Sequence, residues 1–490
     1  MTDYKKRFLN TVGENKVVVL FVILCIAAIY ASGNPLTFVA NELFTRIGRN
    51  SFTVLSLLIP VLAGMGLNFG IVIGAIAAQI AVFWVVYWGF TGIEGFLICV
   101  LMATPLAILF GWLVGRLFNK MKGAEMIAGM VLGFFADGLY QLFFLFVIGG
   151  VIPMKASSLL ITGGIGVKNT VDLANNLKYS LDTVSMLSLI EIAFYAVIAA
   201  MIIKIVLNLI KENKTTLKRD LVTIAVAAGA YAVTYLPFVE KFLSTDRLGL
   251  LDAVTILTIL AIAWNLYRLI RGCIAEKGKV WVKPVCLMVL TGALYALTYI
   301  KAIETILLAV NIPVATYLLI GCLCFFNSWL LKTRLGQNMR TVGQSRTVAN
   351  AAGINVDRTR VIAMILSTVL ASWGQLIYLQ NIGTFSTYGA HTQVGQFAIA
   401  ALLVGGASVQ KATNKQAIIG VILFHTLFIV APQAGKQLFD NAQLGEYFRV
   451  FVAYGVIAVA LAMHAWKKIS KHPKEGIPTP AMANAVPKAK

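Results

Sequence analysis

The chain has 490 residues, 59% of them hydrophobic and only 12% charged, whereas soluble domains carry about 25% charge. Its mean hydropathy of +0.83 leaves too little polar surface to solvate a compact body, which excludes a soluble globular fold and, for so apolar a chain, intrinsic disorder. Six cysteines exclude a disulfide scaffold, and the net charge of +21 is explained by where the basic residues fall.

A bilayer core about 30 Å thick takes roughly 20 apolar residues per helix. Runs of that kind fall at 17–31, 52–67, 70–90, 96–118, 125–149, 186–208, 219–238, 251–270, 284–300, 306–331, 360–380, 396–410, 416–432 and 447–466. They predict an all-α, polytopic transmembrane helical bundle of about 12–14 helices. The short runs 17–31, 52–67 and 396–410 suit half-helices or tilted pieces. With residues 1–16 inside the cell and strict alternation, the inside segments hold 31 of the 41 Lys and Arg. The outside connections hold the other ten, Arg46 and Arg49 among them. Basic residues collect on the cytoplasmic side of a membrane, so both termini are expected there. The basic excess then reflects topology and attraction to anionic lipid, with no nucleic-acid partner. The first run, behind Lys5-Lys6-Arg7 and ahead of Ala31-Ser32-Gly33, also fits a cleaved signal peptide; a retained helix keeps the alternation equally well.

One heptapeptide recurs. Ala230-Tyr231-Ala232-Val233-Thr234-Tyr235-Leu236 returns as Leu294-Tyr295-Ala296-Leu297-Thr298-Tyr299-Ile300, 64 residues later. Basic turns precede both copies and Asn-aromatic stretches follow them, at 264–268 and 326–329. The economical reading is a duplicated helix pair, about 210–270 and 271–334, within 210–334. A pair is the smallest insertion that leaves downstream topology unchanged.

The chemistry of common enzymes is missing. There is no G-x-x-x-x-G-K-[ST] loop to cradle ATP, no H-E-x-x-H and no G-x-S-x-G. His391, His425, His464 and His472 are scattered, and no Cys-x-x-Cys pair exists, so no metal site is expected. Movement of a solute is the default for such a chain.

Residues 332–359 break the apolar pattern with Arg334-Leu335-Gly336-Gln337-Asn338-Met339-Arg340-Thr341-Val342-Gly343 and Ala349-Asn350-Ala351-Ala352-Gly353-Ile354-Asn355-Val356. Within them 344–352 reads as a short helix of small side chains, ended by Gly353 in the C′ position. Val348, Ala349 and Ala352 are expected on one face, flanked by Arg340, Arg346 and Arg358, suited to fit a groove on a partner. This stretch resembles the cytoplasmic loop of ABC importer permeases of the branched-chain amino acid, simple sugar and nucleoside class. It departs from their pattern at Ser345-Arg346-Thr347-Val348, where they carry Pro and an extra Ala. Gly64-Met65-Gly66-Leu67-Asn68-Phe69-Gly70 resembles their Gly/Asn-rich break, and Val404-Gly405-Gly406-Ala407-Ser408 their late Gly-rich region. Gly123-Ala124-Glu125, which opens the fifth run, also fits. The resemblance covers about 50–150 and 300–465, leaving out the duplicated pair and 150–185.

The resemblance implies a permease subunit of a binding-protein-dependent importer in the bacterial cell membrane. Residues 1–16 would be a cytoplasmic segment, 17–466 the permease domain and 467–490 a basic cytoplasmic tail. It implies two cytoplasmic ATPase subunits holding ATP and Mg, a second homologous permease (or a second copy), and an extracytoplasmic solute-binding protein. This chain itself would bind no cofactor and catalyse nothing. The ATPase-coupling residues would be Arg340, Gly343, Val348, Ala349, Ala352 and Gly353. The solute would be a simple sugar or nucleoside ahead of a branched-chain amino acid, moved by alternating access. An ATP-independent secondary transporter is the alternative.

Polar groups inside spans are costly and mark candidate function. Asp137, with Gln141 one turn on, lies in the middle of 125–149. Asn68, in the 67–70 break, can offer side-chain and freed backbone groups beside a pathway. Gln79, Gln375 and Gln396 complete the candidate solute pathway, against interhelical hydrogen bonding as the plainer role. Glu125 reads as interfacial.

Overall fold

The computed structural model describes residues 16–154, 159–161, 165–210, 217–274, 282–441, 443–451, 454–455 and 458. Residues 1–15, most of the expected run 447–466 and the tail 467–490 lie outside the described residues. Among the described residues seven helices are long and apolar enough to cross a bilayer, or nine if two bent pairs each count as one span.

Helix α1 (Lys16–Ser32) is followed past Pro35 by α2 (Leu36–Ser56), an element that hydropathy alone hides. Asn41, Glu42, Arg46, Arg49 and Asn50 interrupt its apolar run, and the expected outer connection at 32–51 is corrected to a helix. These groups are satisfied locally. Arg46 Nε donates to Glu42 Oε1 one turn away at 2.9 Å, and Asn50 donates to the Arg46 carbonyl at 2.9 Å. The chain bends at Leu57 into α3 (Leu58–Leu62). The expected run 52–67 is thus the last part of a longer element, not a separate crossing. In the irregular stretch after it, Gly64 and Gly66 take φ of +70° and +72°, a left-handed conformation that glycine adopts without steric cost. Then come α4 (Ile71–Tyr87), α5 (Gly92–Lys120) and α6 (Glu125–Leu142), which continues from Phe143 until the backbone leaves helical geometry at Ile148 and Gly149. Strand β1 (Thr170–Asp172) follows.

The middle of the chain repeats itself in structure. The first stretch is α7 (Met186–Ile210), α8 (Leu217–Ala232), a 3-10 turn Val233–Tyr235 and α9 (Pro237–Leu243), closed by β2 (Arg247–Gly249). The second is α10 (Leu250–Ile274), α11 (Val282–Ala296), a 3-10 turn Leu297–Tyr299 and α12 (Lys301–Ala309), closed by β3 (Asn311–Pro313). In both copies the buried Thr of the heptapeptide donates back to a Tyr carbonyl, Thr234 to Tyr231 at 2.6 Å and Thr298 to Tyr295 at 2.7 Å. Strands β2 and β3 pair antiparallel, with Leu248 opposite Ile312. The repeating unit therefore begins at the helices of 186 and 250, earlier than the boundaries read at 210 and 271. The expected run 306–331 is split by β3 into α12 and α13 (Val314–Leu330), because Asn311 and Pro313 do not continue a helix.

The last third holds α14 (Arg334–Gln344), α15 (Arg346–Ala351), α16 (Val356–Ile382), β4 (Thr384–Ser386, paired with β1), α17 (Ala390–Val404) and α18 (Asn414–Phe439). Helix α16 is the axis of the bundle. Gly111 and Gly115 of α5 meet it so closely that a Cβ would stand 2.7 Å from the Ile365 Cα and 2.9 Å from that of Val361, the small-x-x-x-small contact of membrane helices. Gly374 meets Thr53 of α2, and Gly74 of α4 meets Thr368 and Ser372.

Helix α16 also serves as a ruler, about 40 Å long at 1.5 Å per residue. Its first turn meets the α5–α6 turn through Asn119 and Lys122, at 2.8 and 2.7 Å from Asp357. At its last turns Gln380 and Asn381 donate to Asp182 at 3.0 and 2.9 Å. Helix α4 starts beside Met364 and Ser367, roughly 15 Å along from the first end, and runs to the second. Helix α17 starts where His391 meets Asp137, and its other end returns to the first end, with Gly405 against Gln416. Two half-helices thus start at mid-length and run to opposite ends, and Gly395 of α17 lies against Ile71 and Val72 of α4.

Candidate solute pathway and coupling segment

The segment 332–359 is built by side-chain caps. Thr333 accepts from the Gly336 amide to start α14, and Ser345 accepts from the Val348 amide to start α15, the expected oxygens at N-cap positions. Gly353, at φ +74°, ends α15 as expected. Gly343 holds α14 against α3, since a Cβ there would stand 2.2 Å from the Leu62 carbonyl oxygen. Arg340, Ala352 and Gly353 are exposed. The expected shared face is divided: Val348 is 60% exposed while Ala349 is 0% exposed, packed with Val342 and Val356. One residue is a third of a turn, enough to put Ala349 beneath the helix and Val348 on top. The outward surface is Thr347, Val348 and Asn350 to Gly353.

Beneath α15 lies a buried ion cluster that hydropathy does not show. Glu125, expected at an interface, is 6% exposed. Its Oε1 accepts from Arg346 Nη2 and from Arg360 Nη2, each at 2.5 Å, and its Oε2 accepts from the Gly123 amide at 2.8 Å. Arg346 opens α15, Arg360 lies in the second turn of α16, and Glu125 opens α6. One carboxylate therefore joins three elements.

Twelve residues along α6, about 18 Å, stands Asp137. Its Oδ1 is 2.6 Å from His391 Nε2 in the first turn of α17, and its Oδ2 accepts from Gln141 Nε2 at 3.1 Å. The Tyr140 ring meets the imidazole edge-on, centroids 4.9 Å apart. Between these levels Gly129 and Gly133 lie against Phe69 and Gly70, just before α4. Helix α6 thus touches the start of both half-helices. Asn68 is 1% exposed; its Nδ2 lies 3.4 Å from Met364 Sδ and 3.5 Å from Ser367 Oγ. Its Oδ1, His391 Nδ1 and Tyr140 Oη are buried without hydrogen-bond partners, an arrangement that costs free energy. A cavity of about 40 Å³ is walled by Phe69, Val72, Met130, Phe134, Thr392 and Gln396, the chain neighbours Phe69 and Thr392 lining it where Asn68 and His391 do not.

Gln79 on α4 and Gln375 on α16 are 0% exposed, and all four of their amide atoms lack partners. With Asn68 they continue the line of unpaired polar groups along α4 and α16. Gln396 accepts from Tyr454 Oη at 2.7 Å on the partly exposed side of α17. His391 was missed because one histidine behind a turn carries no spacing signal; its partner is 254 residues away. Two larger grooves, of about 640 and 650 Å³, are lined almost wholly by apolar side chains and offer a polar solute nothing to orient it. Among the described residues no group of three or more His, Cys, Asp or Glu is placed to hold a metal ion.

No family model matches the chain, and no solved structure matches it. It is 32% identical over 142 residues to the nucleoside ABC transporter permease protein NupC of Lactococcus lactis, covering 29% of this chain and 43% of that one. It is 27% identical over 175 residues to the xylose transport system permease protein XylH of Haemophilus influenzae (36% and 42%). To the L-arabinose transport system permease protein AraH of Escherichia coli it is 26% identical over 152 residues (31% and 43%). The matches span about two fifths of the length of these relatives, which are transport components rather than enzymes. The likeness is to permeases of sugar and nucleoside ABC transport systems, the class that the motif at 334–356 resembles.

Proposed function

We propose that the chain is the membrane permease subunit of an importer driven by separate ATPase subunits, carrying a simple sugar or nucleoside into the cell. ATP and Mg sit on the partner ATPases, a binding protein delivers the solute outside, and a second permease subunit completes the pathway. Residues 332–359 face the cytoplasm in this reading, which the distribution of Lys and Arg supports.

The observation that carries this reading is the double attachment of α6. One end is gripped by Arg346 of the exposed α15 and the other grips His391 of a half-helix. A displacement of α15 by an ATPase pulls on Glu125, and α6 moves as a rod. The starts of α4 and α17, held by the Gly129–Gly133 face and by Asp137, then move relative to α16. Only contacts that differ between two states transmit work, and these are the contacts that can differ. Asn68, Asp137, Gln141 and His391 meet the solute at mid-length; Gln79 and Gln375 continue the path toward the end of α16 at Ile382.

Replacing Val348 with Arg tests the docking face. The account expects Val348→Arg to abolish capture of the ATPase while thermal stability is kept, and Ala349→Arg to lower stability. Replacing His391 with Ala tests the rod: ATP hydrolysis continues while uptake per ATP falls about tenfold, a usual size for coupling. Equal loss of hydrolysis and uptake in His391→Ala contradicts the rod, and capture surviving in Val348→Arg contradicts the docking face.

A further inference from the structure

At the end of the bundle that carries the coupling segment, the surfaces of α5 and α16 enclose a cavity of about 720 Å³, lined by Trp112, Arg116, Lys120, Asn119, Arg358 and Val361, with Asp357 at its rim. Its charge is one-sided. Arg116, Lys120 and Arg358 are exposed, and the carboxylate at the rim is already held by Lys122, outside the lining, at 2.7 Å. Arg116 lies over the Trp112 ring, 4.4 Å from its centroid, which fixes one cation against the wall. Asn119 Nδ2 donates to the Asp357 carbonyl at 2.8 Å, which ties the last turn of α5 to the first turn of α16 at the cavity's edge.

The walls change character with depth. Lys120 is the last residue of α5, and Trp112 lies two turns back, about 12 Å toward the middle of the helix. Leu117, Val361 and Ile362 line the same space. A ligand that fills it meets cations at the rim and then a hydrocarbon wall. Tryptophan concentrates at the level of lipid headgroups, and basic pockets between spanning helices hold anionic headgroups. We propose that this cavity is a binding site for an anionic phospholipid, with phosphate on Arg116, Lys120 and Arg358 and an acyl chain along Trp112, Val361 and Ile362. The occupant would tie the last turn of α5 to the first turn of α16, beside the coupling segment. A docked protein fits less well, because it has no acyl chain for the lower wall. The site stands whatever solute the chain carries.

The test titrates the full-length chain in detergent with phosphatidylglycerol, phosphatidylcholine or inorganic phosphate at matched ionic strength, and counts retained lipid by native mass spectrometry. Phosphatidylglycerol is expected to be retained, with phosphatidylcholine and inorganic phosphate unable to replace it. Arg116→Gln, Lys120→Gln and Arg358→Gln each weaken retention about fivefold, the effect of one cation near a lipid surface. Lys411→Gln and Lys415→Gln, exposed at the same end but outside the cavity, leave it unchanged, which shows that net charge alone is not measured. Equal retention of phosphatidylcholine, displacement by inorganic phosphate, or retention unaffected in the triple variant would each overturn the proposal. So would a triple variant that loses ATPase capture with lipid retention intact.

Discussion

The bundle around α16 and the repeated hairpins of 186–309 are both apolar helix, yet they are built differently. In the bundle 61% of the apolar window of 356–382 and 67% of that of 414–439 is buried, with 28% for 92–120 and 22% for 125–151 at its flank. In the repeats the figures are 0% for 186–206 and 11% for both 250–272 and 282–299. The bundle hides Asn68, Gln79, Gln375, Gln380, His391 and His425, each with an unpartnered polar atom. The repeats hide few polar groups, and most are spent locally, as Thr234 and Thr298 are on their own 3-10 turns. They rest on the bundle through limited contacts, chiefly α12 and β3 against α2. The two regions thus differ in degree: the bundle concentrates buried polar groups, whereas among the described residues of the repeats Asn265 is a rare case with an unpartnered oxygen.

The strongest way to break this contrast is to fill a bundle glycine. A Cβ on Gly420 would stand 1.9 Å from the Ala401 carbonyl oxygen, so Gly420→Leu forces α17 and α18 apart. Ordinary overpacking costs about 1–3 kcal/mol; here backbone blocks backbone, and no folded protein is expected by size-exclusion chromatography. Next comes Glu125→Ala. It strands Arg360, whose side chain is 0% exposed, and removal of one partner of a buried ion pair costs about 3–5 kcal/mol. Thermal unfolding should register that loss.

A deletion of 250–313 removes one repeat and joins Gly249 to Val314, so that α13 follows β2 as α10 did. The shortened chain should fold and keep uptake, with α9 taking the place of α12 against α2; loss of the folded protein would show that the two copies are not interchangeable. The smallest effect belongs to Gly229→Ala and Gly292→Ala. At both positions a methyl group would point into open space, with no atom within 4 Å, and a glycine inside a helix is worse than alanine by about 0.5–1 kcal/mol. Each should raise thermal stability slightly.

These two regions also differ in how much of them the sequence made legible. Spans that stay predominantly apolar, such as 186–208 and 360–380, needed only bilayer thickness, and the heptapeptide exposed the repeat. Helix α2 escaped because its polar residues pair within the helix and with α16, and hydropathy cannot see a partner. Gly353 was readable because a glycine that ends a helix is a local signal. The division of Val348 from Ala349 was not, since it depends on which side of a six-residue helix meets Val342 and Val356. Asp137 announced itself as a charge in a span. His391, Glu125 and Arg360 did not announce themselves, because their meaning lies in partners 221 to 254 residues apart.

The central claim is that work enters through α15 from another polypeptide. It is tested most directly by reconstituting the chain in vesicles with its binding protein, with and without the ATPase, and following accumulation of radiolabelled solute. The account predicts accumulation only with the ATPase and ATP present, and none when Val348→Arg replaces the native chain. Accumulation against a gradient by the chain without any ATPase would contradict it.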